Sequence, residues 1–391
     1  MQHLAGGDTH EKNWYDCCCP NDFICNVLSG CSQAQPDAVD TNSPGIGTPS
    51  PTPLQSEAPA SPEPMDEIYP VSTQEKATQI LERAYEGFVQ EVPFRFTQED
   101  LPFQERSILL QNASNEVLSA RPELKYAYAL ECTEGVDGTV CKISYMPYKL
   151  GYPDGEPEGA VEINTLAELV KAADAALSEE EIPIVIRDPE LVVDDMQRAL
   201  QLAGYGYILY TLNSDATAIQ TFPSDSETIE QSVEKIQEIQ SIAKETAATI
   251  LTDTMDDEEK LKAIYRFIVG NTTYDYRYYQ SPDTLPYESR TAFGPLQNGT
   301  AICGGFSWAF RVLCEEAGIP CWNVTGTGAG EEHMWNCALL DGEYRYFDTT
   351  WDAGRPDESQ WRYFGRTEEE ISQDHFWGIG QKELIQGLTQ S

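Results

Sequence analysis

The dipeptide Asp341-Gly342 constrains the fold of this chain more than any other pair of residues. Both types tolerate positive φ, so between two extended runs they predict a two-residue hairpin loop. His333-Met334-Trp335-Asn336-Cys337-Ala338-Leu339-Leu340 precedes the pair, and Glu343 to Asp348 follows it. A two-residue loop sets Leu340 opposite Glu343, and the same register sets His333 opposite Thr350. Asp348 is two positions from Thr350, so it shares the face of His333 as a diagonal neighbour. A three-residue loop would put the two on opposite faces. The hairpin therefore offers an imidazole with a carboxylate to orient it.

A relay of this kind needs a nucleophile. Gly299-Thr300-Ala301-Ile302-Cys303-Gly304-Gly305-Phe306 supplies a candidate. The run after Cys303 predicts a helix, because Phe306, Phe310 and Leu313 share a face, Gly318 stops it and Pro320 follows. Cys303 then sits at a helix N-terminus, where free N–H groups favour negative charge on sulfur. Small neighbours leave the sulfur approachable. Alone, such a cysteine fits packing as well as chemistry. His333 changes the balance, since the chain has 4 histidines and His3 and His10 lie in its polar head. Cys303, His333 and Asp348 supply nucleophile, base and orienter in the order that acyl transfer requires.

The rest of the chain divides by composition. Residues 35–66 carry Pro36, Pro44, Pro49, Pro51, Pro53, Pro59, Pro62 and Pro64 among Ser and Thr, with few large apolar residues, and read as an extended linker. Before it, residues 1–34 hold Cys17, Cys18, Cys19, Cys25 and Cys31 in spacings that match no zinc pattern. Leu28-Ser29-Gly30-Cys31 resembles the lipobox of bacterial lipoproteins. Asp8, Glu11, Lys12, Asp16 and Asp22 before it depart from an apolar signal segment. A lipid anchor at Cys31 and a tether predict a secreted protein held at the cell surface.

Residues 67–225 predict an accessory α/β region, and 226–391 the chemical domain. In the former, Thr165 and Glu168 form a capping-box signature for a helix over 166–177. A hairpin turning at Val136-Asp137 would set Cys132 directly opposite Cys141, where a cross-strand disulfide is one option and two buried thiols the other. In the latter, Ile229, Val233, Ile236, Ala243, Ala247 and Ile250 recur at helical spacing as core. No run of about 18 apolar residues exists, so no membrane-spanning helix is expected. Lys and Arg number 25 against 65 Asp and Glu, a net charge of −40. So acidic a surface repels phosphate backbones and argues against nucleic-acid partners.

The motifs around the three residues resemble the transglutaminase-like superfamily. The resemblance rests on residues 299–306, on Glu332-His333-Met334-Trp335-Asn336 and on Tyr346-Phe347-Asp348-Thr349-Thr350-Trp351-Asp352. Thr273-Tyr274-Asp275-Tyr276, Ala292-Phe293-Gly294 and Ala317-Gly318-Ile319-Pro320 extend it over roughly 226–380. It implies an α+β, papain-like fold with helices packed on an antiparallel sheet. It also implies that Cys303 is the nucleophile, His333 the general base and acid, and Asp348 the orienting residue. Gly304 stands where the family usually has an acidic or amide residue, and Thr349 where proline is frequent. His375, in Asp374-His375-Phe376-Trp377, lies beyond the triad and reads as structural. The Cys303 N–H is a natural oxyanion donor, with Gln297 as a candidate second. The implied activity is a cysteine-dependent hydrolase, a peptidase or amidase acting on protein or cell-wall peptide through a thioacyl-enzyme. A transglutaminase forming isopeptide crosslinks and a non-catalytic surface binding module are the alternatives. No cofactor and no metal are implied, and no EF-hand-like loop is present.

Overall fold

A computed structural model describes residues 68–389, apart from 99, 137, 226–227 and 379–380. The cysteine-rich head, the Cys31 lipobox and the 35–66 linker lie outside the described residues. Contacts divide the described chain after Gly155 into two compact units. The boundary expected near residue 225 falls inside the second.

The first unit runs β1 (Tyr69–Val71), α1 (Gln74–Glu86), β2 (Glu91–Phe96), α2 (Phe103–Ala120), β3 (Ala127–Gly135) and β4 (Gly138–Tyr145). Its sheet has the order β1-β2-β4-β3, parallel between β1 and β2 and antiparallel elsewhere. Cys132 lies directly opposite Cys141, and the two form a disulfide.

The second unit opens with β5 (Val161–Ile163), α3 (Leu166–Ala175), β6 (Glu181–Ile186), α4 (Val193–Leu200), β7 (Ile208–Leu212) and β8 (Ala218–Pro223). The order is β5-β6-β8-β7, again parallel only between the first two strands. The βαβαββ topology of the first unit is thus repeated. Local chemistry repeats with it. Thr73 and Thr165 each cap the first helix, accepting from Lys76 N and Glu168 N. Glu91-Val92-Pro93 and Glu181-Ile182-Pro183 each open the second strand. The expected capping box is altered in one respect, since the Glu168 carboxylate accepts from Asn164 N at 2.6 Å.

Next come α5 (Ile229–Ile250) and α6 (Asp257–Asn271), each begun by a reciprocal capping box. On α5 the fully buried apolar residues are Ile236, Ile239, Ala243 and Ala247, while Ile229, Val233 and Ile250 are half-buried. Two short parallel strands, β9 (Thr273–Tyr274) and β10 (Thr300–Ala301), lead into α7 (Cys303–Ala317). Phe306, Phe310 and Leu313 of α7 are buried, and Gly318 ends it in the left-handed conformation at φ 71°. The helix packs on an antiparallel sheet of order β13-β12-β11-β14, built from β11 (Cys321–Gly328), β12 (Glu331–Leu340), β13 (Glu343–Phe347) and β14 (His375–Phe376). This is the α+β arrangement that the sequence predicts. Leu340 pairs with Glu343, and Asp341 and Gly342 adopt φ of 52° and 80°, as a two-residue loop demands. Among the described residues, no helix is long and apolar enough to cross a membrane.

The α7 residue Arg311 joins the second βαβαββ element to this core. Its guanidinium donates to Leu202 O at 2.7 Å, pairs with Asp174 and Glu315, and lies 3.7 Å from the centre of the Trp322 ring. Burial, acting first, pushes both carboxyls up, and the guanidinium pulls them back.

Candidate active site

Cys303 is the first residue of α7, and no side chain caps that helix start. Its N–H groups therefore face the sulfur's surroundings unclaimed by a cap. The approach is tightly held. Asp275 N donates to Ala301 O at 2.8 Å, and Ile302 N to Ser289 O at 2.9 Å. The Asp275 carboxylate accepts from Arg277 at 2.8 and 2.7 Å and from Ser289 Oγ at 2.7 Å. Those bonds, led by Arg277, lower its pKa to about 2. A Cβ at Gly304 would lie 3.2 Å from Arg290 O, and one at Gly305 2.6 Å from Ser289 O. The departure at Gly304 thus lets the helix start lie close against this segment.

A buried polar network fixes α7 to the sheet. Ser307 Oγ lies 2.8 Å from Trp335 O and 3.1 Å from Asn323 Oδ1, while Asn336 Nδ2 donates to Ser307 O and Asn323 Oδ1, both at 3.0 Å. The strand that carries His333 is thereby set against the helix that carries Cys303.

His333 is 8% exposed and stands on β12 opposite Gly326. Its ring stacks against Trp351 at 5.2 Å and Trp335 at 5.9 Å. Nε2 lies 2.8 Å from Asp348 Oδ2, and Cys303 is near enough to the ring to act on its charge. Since Asp348 occupies Nε2, Nδ1 is left for the sulfur. Burial alone would discharge this imidazole, but Asp348 and Cys303 outweigh it and raise the pKa to about 10.

Asp348 follows the last residue of β13 and is fully buried. Burial opposes its charge, yet the charge of His333 and the hydrogen bonds of His333 and His375 hold the carboxyl well below the usual range. Oδ1 accepts from Thr350 N at 2.9 Å and Trp351 N at 3.2 Å, and Oδ2 faces His333 Nε2 at 2.8 Å and His375 Nε2 at 3.2 Å. The backbone around it is fixed by Tyr265, whose hydroxyl lies 2.8 Å from Asp348 O and 2.7 Å from Asp352 Oδ2.

The structure therefore brings Cys303, His333 and Asp348 together, and it adds His375, which sequence reasoning had read as structural. One signal was available: with His3 and His10 in the head, His375 is the other histidine of the folded part. The ring arrives on β14, which pairs with Thr327 and Gly328. A Cβ at Gly326 would lie 2.1 Å from Phe376 O, and one at Gly328 2.8 Å from Trp351 and 3.1 Å from His333. Two glycines thus admit β14 and the aromatic walls. Gln297 lies exposed in the turn Gly294–Asn298. His333, Asp348 and His375 also form a set whose ligand atoms lie within 4.8 Å of one another. A metal there would have to displace both imidazole–carboxylate hydrogen bonds.

Comparison with known proteins finds the following similarities. Residues 244–349 match the family model described as transglutaminase-like superfamily. Kyphoscoliosis peptidase of Mus musculus is 28% identical over 161 residues, 37% of this chain and 23% of that protein. The chain thus spans less than a quarter of that relative's length. A solved structure described as a TGase aligns at 15% identity over 56% of this chain and 64% of its own, with a TM-score of 0.25. Another, from Cytophaga hutchinsonii and described as a candidate cysteine protease, aligns at 19% identity over 36% and 47%, with a TM-score of 0.23.

Proposed function

Because residues 244–349 belong to the transglutaminase-like superfamily, we propose that the protein is a cysteine hydrolase that cleaves peptide or carboxamide bonds through a Cys303 thioester. The observation that carries this reading is the buried His333–Asp348 pair at 2.8 Å, beside a cysteine at an uncapped helix start.

The chemistry follows from the order of contacts. The Cys303 thiolate adds to the carbonyl carbon, and the oxygen takes the negative charge beside the N–H groups that open α7. His333, protonated and held by Asp348, gives its Nδ1 proton to the leaving nitrogen as the C–N bond breaks. The product is an amine and a thioester. Water then adds to the thioester carbonyl, passing a proton to His333, and the C–S bond breaks to release the acid. The peptidase named among the relatives supports water over an amine at this second step. The substrate is a protein or peptide on this reading. The Cys132–Cys141 disulfide favours an oxidising compartment, which with the lipobox-like run supports a place outside the cytoplasm.

Alkylation of Cys303 by iodoacetamide, followed by peptide mass spectrometry, tests the pair directly. Wild type is expected to react faster at neutral pH than His333→Ala; equal rates would remove the basis of the proposal. Incubating an acyl donor peptide with a primary amine then separates the outcomes. Free acid as the main product supports hydrolysis, whereas amine incorporation in excess of hydrolysis would make the protein a crosslinking enzyme.

A further inference from the structure

We infer that His375 is a positioning residue of this site, a second imidazole whose Nε2–H locks the Asp348 carboxylate in the orientation that serves His333. The inference rests on the triad reading above and extends it by one residue on a separate strand.

Asp348 has no contact with solvent, so each of its oxygens must find donors inside the protein. Oδ1 has two backbone N–H groups, which fix one end of the carboxylate. The other end, Oδ2, is the oxygen that His333 uses. A second donor on this oxygen would keep it in place while His333 gives up and regains its Nδ1 proton. The second donor at Oδ2 is His375 Nε2, at 3.2 Å.

The far side of the His375 ring shows how the donor is aimed. Nδ1 lies 2.7 Å from Asp374 Oδ1, and Asp374 Oδ2 accepts from the Tyr363 hydroxyl at 2.7 Å. The ring centre is 4.3 Å from that of Trp351 and 4.8 Å from that of Trp335, the indoles that flank His333. It is therefore clamped between a carboxylate and two aromatic walls. The titratable groups that face it are Asp348, Asp374, His333 and Tyr363. Asp374 retains 40% of its side-chain exposure, so the chain of contacts from Cys303 through His333, Asp348 and His375 ends at the surface.

Two substitutions separate a hydrogen-bonding role from mere packing. His375→Phe keeps a ring between the indoles and removes the donor. His375→Gln keeps a donor near the Nε2 position and removes the ring. The probe is iodoacetamide, with the alkylation rate of Cys303 followed against pH in the full chain. His375→Phe is expected to slow alkylation at pH 7 by roughly 10- to 100-fold, the usual effect of removing a hydrogen bond to a charged group. The acid limb of its profile should move up by roughly one pH unit, because a loosened Asp348 holds the imidazolium less well. His375→Gln should recover most of the rate. A folded His375→Phe protein that matches wild type overturns the inference. So does His375→Gln as slow as His375→Phe, or an acid limb that moves down.

Since the phenylalanine variant places an apolar ring against a buried carboxylate and could fail to fold, wild type carries an independent measurement. In the imidazole ¹⁵N spectrum, His375 should show a slowly exchanging proton on Nε2; an unprotonated Nε2 overturns the inference whatever the variants do. If wild type alkylates no faster than His333→Ala, the triad reading fails, and the spectrum still reports on His375 separately.

Discussion

Asp348→Asn is the sharpest perturbation of the relay, because it changes one atom and leaves the volume intact. The amide would keep its oxygen on the Thr350 and Trp351 N–H groups, 2.9 and 3.2 Å away. Its NH2 would then occupy the Oδ2 position, 2.8 Å from His333 Nε2. A donor there forces Nε2 to become an acceptor and drives the His333 proton to Nδ1, the wrong tautomer for a base facing sulfur. The loss can be sized. His333 is raised from 6.5 to about 10, and at about 1.36 kcal/mol per unit this is on the order of 5 kcal/mol of imidazolium stabilisation. Without the carboxylate, Cys303 alone is left to oppose burial, and the imidazolium loses its larger support. Alkylation of Cys303 at pH 7 should fall by roughly 100-fold or more, by analogy with other wrong-tautomer relays. Stability supplies a second reading. A raised imidazole contributes stability that is full below pH 6.5 and is lost as pH rises towards about 10. Wild type should therefore lose urea resistance over that interval, and Asp348→Asn should lose less. Alkylation within about 3-fold of wild type, with an unchanged slope of stability against pH, would refute the reasoning.

Two further substitutions test the scaffold. Arg311→Leu leaves the carboxylates of Asp174 and Glu315 without their buried cation, and should destabilise the second unit by about 3 kcal/mol in urea. The low end of the usual range applies because Glu315 keeps 34% of its side-chain exposure. Adding Asp174→Asn and Glu315→Gln should recover part of the loss. Gly326→Ala places a Cβ 2.1 Å from Phe376 O, and should lower stability by about 1–3 kcal/mol or more. It should also slow Cys303 alkylation by displacing the strand that carries His375, and a variant with wild-type stability and rate would contradict the packing described.

Much of the site was legible because it depends on local rules. Asp341-Gly342 determines a register by its own backbone preference, and register decides which face His333 occupies. The start of α7 and its end at Gly318 follow from capping chemistry within a few residues. The place of His375 beside Asp348 was not legible because it depends on β14 pairing with β11, a contact between residues almost fifty positions apart in the chain. Nothing in a two-residue strand signals its partner; the signal lies in Gly326 and Gly328, whose missing side chains make room for it. The contact division shows no boundary near residue 225 for a similar reason. Composition does not change there, whereas Arg311 reaches back to Leu202 O and Asp174.

That reach has a consequence for what counts as the smallest working piece of this protein. The stretch matched by the family model begins at residue 244, and a truncation guided by it would remove Leu202, Asp174 and Tyr205. The guanidinium of α7 would then lose Leu202 O and Asp174, and one face of the helix that begins with Cys303 would be uncovered. The stretch matched by the family model and the compact unit that contains it are different stretches of chain, and the second unit begins at residue 156. One βαβαββ element thus packs on the helix that begins with Cys303, while its counterpart in residues 68–155 belongs to the other compact unit.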